Sequence, residues 1–501
     1  MPEIRFARGD GTPAAGAVFR TRAAGKDWED SEHAPLAVSV HEVDITPHPG
    51  AGSGWMAGYG WSKRTNPDFS FARELTAQCA VIWTEGTPNV LLRADVAGIP
   101  REVHWAIRQR VLDAVPGLMT KNFLLASSHT HSGPFIGDTH PSPQTLINAD
   151  DADIAAINAF TNHFVDQMVK TVRNAAETPP VPVTLSYAFG TADIARNRTG
   201  LPWCPTDVPV LIAESTIDGS LQAVLFGYAC HPVSRGRDEV FDSDFCGFAS
   251  EHAENRLDGV PVLFFQGTAG DIDPDVDEEA RGVHAVEELG KALGDAVVDI
   301  INNASFTQVT GPMHNHLEEI ELPMALDTED PNILAELHEK YHKRVESLPN
   351  DESPAGAAHR HAAIMLERIE EGTLPRSVPM PIQRFRFNGL SILALAHEVC
   401  SGYQMALQNA YTKTPLWIMA YANEVSCYVP GDDLLWRGGY EAGWEDGDPR
   451  IAGISTNLIV YPWPVPLRAS GGPTMREQGD RADDDSVEGI LTKACIDILR
   501  D

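Results

Sequence analysis

The sequence has few basic residues for its length and no long apolar run. Its 38 lysines and arginines are outnumbered by 71 aspartates and glutamates, which gives a formal net charge of −33. Nucleic acids and anionic membranes bind basic surfaces, so we expect neither as a partner. No run of about 18 apolar residues occurs, so we expect no stable insertion into a membrane.

Cysteine is scarce as well, and its spacing is irregular. The seven cysteines are scattered, and no two are spaced as Cys-x-x-Cys. This pattern argues against a disulfide framework and against a cysteine zinc knuckle. The first residues, MPEIRFARGDGTP, lack the basic-then-apolar pattern of a signal peptide. We therefore expect a cytoplasmic protein whose cysteines are mostly small core residues.

Alternating and continuous apolar segments predict strands, and segments with helical periodicity lie between them. The predicted strands are 35–46, a hairpin over 79–98 that turns at Thr87–Asn89, 121–131, 221–232, 261–270, 391–399 and 415–425. The predicted helices are 101–115, 150–176 and 283–304. This alternation predicts an α/β layered domain with a central mixed β-sheet flanked by helices.

The same patterns suggest a division of the chain. Residues 1–34 form an N-terminal extension, and 35–470 form one large catalytic domain. A charged stretch over 333–372, broken by a proline-containing segment, predicts a helical hairpin inserted at the surface. Residues 471–501 read as a polar tail that ends in a short helix.

Four predicted strands end in polar side chains. These are His129 and His131, then His231, then Asp271 and Asp273, and finally His397 and Glu398. Sites in layered α/β folds form at the carboxyl ends of strands, so we expect one shared site. Positions i and i+2 of a strand face the same side, so the first two histidines can enter one pocket. Imidazoles and a carboxylate are a suitable ligand set for zinc, although other divalent ions also accept them.

Two further histidine pairs do not follow this layout. His314 and His316 fall in a predicted exposed strand, whereas His359 and His361 fall in a charged helical stretch and read as solvated surface. An isolated His-x-His is weak evidence for a metal. An amidohydrolase barrel also uses it, but there the pair normally opens the chain. A non-catalytic binder that keeps the fold is a further alternative.

Several motifs together resemble the neutral (non-lysosomal) ceramidase family and its bacterial relatives. They follow one another in order from about residue 38 to about residue 445. They are VDITP (43–47), GYG (58–60), SSHTHSGP (127–134), CHPVS…SDF (230–245), QGTAGDIDP (266–274), AHEV (396–399) and YANEVSCYVP (421–430).

The resemblance implies a zinc hydrolase acting on a small-molecule substrate, either a lipid amide or a carbohydrate-like compound. Its implied Zn²⁺ ligands are His129, His231, Glu398 and Tyr428. It places His131 in the site, and Arg198 as a contact to substrate or the reacting group. We expect Asp271 and Asp273 beside them on the open face, where Asp273 orients or deprotonates water or simply holds its turn. Self-association is possible.

Three departures from the family pattern bear on the substrate. Asp273 stands where ceramidases carry a serine, and His397 stands where we expect a glycine. We also expect no counterpart of the C-terminal β-sandwich domain that ceramidases carry. These differences leave open a second function, zinc-assisted cleavage of a carbohydrate or other polar substrate by hydrolysis or elimination. Two tryptophan-containing tracts, 53–64 and 434–448, are candidate sugar-stacking loops.

Overall fold

Strands and helices alternate through most of the chain, as the sequence predicts. The structure is a computed structural model that describes residues 36–50, 52–61, 63–137, 143, 147–471 and 485–500. The predicted extension 1–34 lies outside the described residues, and the proposed domain boundaries stay predictions.

Sixteen strands lie within the described part of the chain. They are β1 Leu36–Asp44, β2 Thr76–Thr84, β3 Thr87–Ala94, β4 Phe123–Ser127, β5 Val181–Thr191, β6 Ala195–Asn197, β7 Asp207–Ser215, β8 Leu221–Tyr228, β9 Val262–Gln266, β10 Ile272–Pro274, β11 Thr307–Pro323, β12 Ser377–Asn388, β13 Ser391–Leu395, β14 Glu398–Val399, β15 Leu416–Met419 and β16 Tyr428–Val429. The α-helices of the same part are α1 Arg101–Ala114, α2 Asp151–Glu177, α3 Asp244–Arg256, α4 Val283–Asn303, α5 Pro331–Ser347, α6 Pro354–Glu371, α7 Gly402–Ala410, α8 Asp432–Leu435, α9 Asn457–Val460 and α10 Val487–Arg500.

One large sheet has three arms that meet at β5. The first arm continues through β1, β2, β3 and β4, the second through β7, β8 and β9, and the third through β11, β12, β13 and β15. The last strand pair of each arm is parallel, whereas the pairs closer to β5 are antiparallel. The sheet is therefore mixed, and it is not the barrel of an amidohydrolase.

Apolar side chains cover both faces of each arm. The inner faces share one core cluster, to which Leu124, Leu225 and Ile392 contribute one side chain from each arm. On the outer faces, α1 and α2 pack on the first arm, α3 and α4 on the second, and α5, α6, α7 and α10 on the third. Strands covered on both sides have continuous apolar sequences, which explains why the runs were visible. The predicted α/β layered class is confirmed.

Local sequence explains where α2 begins and where the predicted hairpin turns. Asp150 forms a capping box with Asp153 at the start of α2, which lies where the sequence predicts it. The predicted hairpin exists, but it turns at Glu85–Gly86 and not at Thr87–Asn89. Both turn residues have positive φ, 49° and 76°, as a two-residue hairpin requires.

The stretch 333–372 lies in two helices, α5 and α6. One of its histidines is not at the surface, where the sequence predicts it. His361 is buried, and its Nε2 bonds to the carbonyl of Trp463 at 2.9 Å. The prediction of a solvated side chain is therefore wrong, because α6 turns this face toward the core. His314 and His316 lie in β11, as predicted.

Membrane insertion can be checked on the helices. Within the residues that the structure describes, no helix is both long enough and apolar enough to cross a bilayer.

Candidate metal and active site

The polar side chains singled out in the sequence follow strands of the parallel pairs that end the three arms. His129 and His131 follow β4, and His231 follows β8. Glu398 and Tyr428 lie opposite each other in the short parallel pair β14–β16, beyond the end of β13. Because these strand ends meet at one edge of the core, residues far apart in sequence share one site.

Three imidazole rings meet there, and each presents its Nε2 atom to the others. Nε2 of His129 lies 3.1 Å from Nε2 of His131 and 3.2 Å from Nε2 of His231. Glu398 Oε2 lies 3.1 Å from the His129 nitrogen and 3.2 Å from the His231 nitrogen. One ligand atom from each histidine lies within 4.8 Å of the others, a spacing that could hold a metal ion.

The protonation of these rings follows from their other nitrogens. Nδ1 of His129 contacts the carbonyl of Ala97, and Nδ1 of His231 lies 2.6 Å from the carbonyl of Ala269. A carbonyl only accepts hydrogen bonds, so each Nδ1 carries the proton and each Nε2 presents a lone pair. Lone pairs that converge at about 3 Å repel each other unless a cation lies among them. The donor set therefore fits a divalent metal, and the carbonyls of Ala97 and Ala269 hold the two rings in the orientation that a metal needs.

The carboxylate and phenol beside the histidines are held in place. Tyr461 Oη donates to Glu398 Oε1 at 2.6 Å, and Tyr421 Oη lies 3.4 Å from Oε2. Burial alone would raise the pKa of Glu398, but His129 and His231 hold that pKa well below its usual value. Tyr428 Oη lies 3.2 Å from Nε2 of His231, so all four residues that the resemblance names as ligands are brought together.

Arg198 joins this centre to two carboxylates. Its Nη1 donates to Asp273 Oδ1 at 2.9 Å, and its Nε donates to Glu441 Oε1 at 2.8 Å. Its Nη2 donates to the carbonyl of Gly270 at 2.8 Å and lies 3.4 Å from Tyr428 Oη. The guanidinium is therefore fixed beside the phenol. Sequence reasoning missed Glu441, although it lies in the tryptophan-containing tract 434–448.

An open cavity of about 570 Å³ leads to these residues. His131, Arg198, Asp273 and Tyr428 contribute to its wall. Both tryptophan-containing tracts also reach it, the first through residues 58–61 and the second through 437–441. Three more arginines line it, and sequence reasoning missed them because they lie in irregular segments with no motif: Arg237, Arg281 and Arg437.

Comparison with known proteins bears on the fold. The crystal structure of neutral ceramidase from Pseudomonas aeruginosa aligns with a TM-score of 0.62 at 20% identity, covering 81% of this chain and 70% of that one. This chain has the neutral ceramidase fold. A second structure, a ceramidase complexed with C2, aligns with a TM-score of 0.60 at 19% identity, covering 88% of this chain and 77% of that one. The family resemblance is confirmed at the level of the fold.

The sequence match to ceramidase covers a smaller part of the chain than the structural match does. Neutral ceramidase of Pseudomonas aeruginosa is 27% identical over 209 residues, which is 38% of this chain and 30% of the relative. The match thus spans less than a third of that relative's length. No protein-family model matches the sequence.

Asp273 is bound by two arginines. Asp273 Oδ1 accepts from Arg198, and Oδ2 accepts from Arg281 Nη2 at 2.9 Å. Burial would raise the pKa of this carboxyl, but the arginine charges outweigh burial and lower it below its usual value. Asp273 is therefore an ionised, weak base, a state better suited to holding arginines than to taking a proton.

Asp271 lies behind the cavity in this ceramidase fold. Its Oδ1 accepts from the backbone N–H of Ser401 at 2.6 Å, and its Oδ2 accepts from Ser401 Oγ and Asn197 Nδ2, both at 2.8 Å. Its backbone carbonyl accepts from the N–H of Arg198. The structure does not place it on the cavity wall with His131, Arg198 and Asp273, and its contacts hold the segment that carries Arg198.

Gly58 lies against His131 on the cavity wall. Its φ is +104°, and a Cβ at this position would lie 2.6 Å from Cα and Cβ of His131. We expect Gly58→Ala to lower kcat/KM about ten- to hundredfold, because a misplaced site residue costs about that much. Steady-state kinetics measures the effect.

Gly86 supplies the matched control. It also has positive φ, +76°, but nothing lies within 4 Å of an added Cβ. Gly86→Ala should cost about 1 kcal/mol of stability, from the left-handed backbone alone, and keep kcat/KM. Equal kinetic losses in both variants would show that backbone strain, and not contact with His131, is responsible.

Proposed function

We propose that this protein is a zinc-dependent hydrolase that cleaves an amide or similar bond by water attack. The observation that carries the proposal is the cluster of three histidine ligand atoms within 4.8 Å of one another, with the Glu398 carboxylate 3.1 and 3.2 Å from two of them. The neutral ceramidase fold, shared over most of the chain, supports it. The similar proteins are named ceramidases, and for this chain a lipid amide is one candidate substrate.

We assign the Zn²⁺ to His129, His231, Glu398 and Tyr428, with His131 as a neighbouring donor at the same centre. A zinc ion bound there would supply Lewis acidity, polarising a carbonyl oxygen and making water nucleophilic near neutral pH. The ligand atoms alone would also suit other divalent ions.

The protein's own side chains then have separate tasks. Burial, together with the imidazoles of His129 and His231, lowers the pKa of His131 well below its usual value. His131 is therefore a neutral ring on the cavity wall, placed to exchange hydrogen bonds with water or substrate. Arg198 presents fixed N–H donors beside the centre, suited to a developing oxyanion. Asp273 holds Arg198 and Arg281 in place.

The experiment is metal analysis joined to a substrate panel. We expect about one zinc per chain by mass spectrometry, and hydrolysis of at least one member of a panel of ceramides and short N-acyl amides. Chelation should abolish this hydrolysis, and added zinc should restore it. Full hydrolysis by metal-free protein, or no metal uptake from supplied zinc, would contradict the proposal.

A carbohydrate or other polar substrate is the second candidate. It is favoured by the cavity wall, where arginine, tyrosine and glycine predominate over aliphatic side chains. A glycan panel run beside the amide panel separates the two. Cytoplasmic location and self-association remain predictions of the sequence.

A further inference from the structure

The cavity in front of the candidate metal centre carries an excess of positive charge. Four guanidinium groups line it, from Arg198, Arg237, Arg281 and Arg437, against two carboxylates, from Asp273 and Glu441. The chain as a whole has a formal net charge of −33. A positive cavity on so acidic a protein concentrates the attraction for anions at one place.

Two of these arginines are already committed to carboxylates, and two are not. Arg198 bridges Asp273 and Glu441, and Arg281 pairs with Asp273. By contrast, the guanidinium of Arg237 lies over the ring of Tyr59, 4.7 Å from its centroid. Arg437 Nη1 reaches a single backbone acceptor, the carbonyl of Thr199, at 3.4 Å.

Arg237 and Arg437 therefore keep most of their donors for a ligand. Among the residues that the structure describes, neither has a carboxylate within ion-pair distance, and both are exposed at the cavity. A guanidinium presents a planar fork that matches the oxygens of carboxylate, phosphate and sulfate. The stacking of Arg237 on an aromatic ring orients its fork without occupying its N–H groups.

The rest of the cavity wall offers little apolar surface for an alkyl chain to contact. Of the described residues that line the cavity, only Val233 and Leu434 have aliphatic side chains. Both are buried, so each offers little surface. A site built for long acyl chains would need a continuous apolar wall. The aromatic faces of Tyr59, Trp61 and Tyr440 suit a compact, partly polar molecule better.

We propose that the substrate carries an anionic oxygen group (carboxylate, phosphate or sulfate) that Arg237 and Arg437 bind in this cavity. Binding there places the neutral remainder of the substrate against the wall formed by His131 and Tyr428, where the scissile bond meets the candidate metal centre. This inference rests on the proposed hydrolase function. It narrows the substrate class from amides in general to short anionic ones.

The test uses two matched substrate pairs and one binding probe. N-hexanoylglycine is compared with N-hexanoylglycinamide, and N-hexanoyl phosphoethanolamine with N-hexanoylethanolamine, so that each pair differs in its anionic group. We expect kcat/KM to be at least about tenfold higher for the anionic member of one pair, since a hydrogen bond to a charged group is worth about a factor of ten or more. Which pair responds distinguishes a carboxylate from a phosphate.

The variant Arg237→Gln/Arg437→Gln should reduce that preference about tenfold or more. The control is Arg110→Gln/Arg376→Gln, which removes the same charge from two exposed arginines that pair with Asp166 and Glu329 away from the cavity. The control should keep the preference. Inorganic phosphate, titrated calorimetrically, should bind the unmodified protein more tightly than the cavity variant.

The outcomes separate the two proposals. Hydrolysis with no anionic preference would overturn the anionic substrate and leave the hydrolase standing. No hydrolysis, with phosphate binding that the cavity variant loses, would overturn the hydrolase and leave the anion site standing. Phosphate binding that is absent, or equal in both proteins, would overturn the anion site.

Discussion

Replacing His129 by alanine is expected to remove the bound metal and to lower kcat/KM at least about a thousandfold. Nε2 of His129 lies at the middle of the candidate ligand set, within 3.2 Å of two histidines and of Glu398. Without it the remaining donors lose their shared centre. Lewis-acid stabilisation of the transition state is worth several kcal/mol, and each 1.4 kcal/mol is about a factor of ten in rate. Mass spectrometry for zinc and steady-state kinetics give the two readouts.

His361 provides the matched control for this variant. It is also buried, and its Nε2 bonds to a backbone carbonyl, but it lies in α6 outside the site. His361→Ala should cost about 1–3 kcal/mol of stability through the unpaired carbonyl and the lost packing, and should keep both zinc and kcat/KM. Zinc retained at one per chain in the His129 variant would refute the assigned centre.

Replacing Arg198 by glutamine should lower kcat/KM about a hundred- to thousandfold while leaving zinc bound. The variant removes the charge that Asp273 and Glu441 share, and it removes the donors fixed beside Tyr428. Losing one fixed donor to a developing oxyanion costs about 10²–10³ in kcat. Arg198→Lys should recover only part of the loss, because an ammonium cannot donate to both carboxylates in the same fork.

The control for Arg198 is another arginine that joins two carboxylates. Arg101 donates to Glu424 and Glu319, but it does not line the cavity. Arg101→Gln should lower the melting temperature and keep kcat/KM. If the Arg198 variant lost only stability, with normal kinetics in the folded fraction, its role would be structural.

Most of the candidate site could be predicted from the polar residues that follow apolar strands in the sequence. Strands buried on both faces are continuous apolar runs, so β4, β8, β9 and β13 were visible and so were the polar residues that follow them. His129, His231 and Glu398 converge because those strands end at one place. Tyr428 was named only by resemblance, since a short parallel pair such as β14–β16 has no pattern of its own.

The branching of the sheet could not be seen in the same way. β5 pairs with β1, β7 and β11, and the last of these begins more than a hundred residues after β5 ends. Such pairings depend on the whole fold and leave no local signal. The cavity arginines were not predicted for a related reason. Arg237, Arg281 and Arg437 come together only when distant loops are folded.

His397 shows how a residue type can be explained after the fact. A glycine was expected before the glutamate, and the position has φ +67°, which glycine adopts most readily. The histidine is accommodated because its ring is fully bonded. Its Nε2 donates to the carbonyl of Pro379 at 2.8 Å, and its Nδ1 accepts from the N–H of Ser426 at 3.2 Å.

Because the assigned ligands meet only at the strand ends, the stability of the fold is expected to depend on metal binding. The assigned ligands span positions 129 to 428 and come together only when all three arms of the sheet are formed. An unfolded chain has no equivalent cluster, so a zinc ion held by the proposed ligands would bind only the native state and would shift the unfolding equilibrium toward it by mass action. At a free zinc concentration a thousand times the Kd, this linkage adds about 4 kcal/mol to the free energy of unfolding. The thermal stability of the protein would then rise and fall with the zinc available around it.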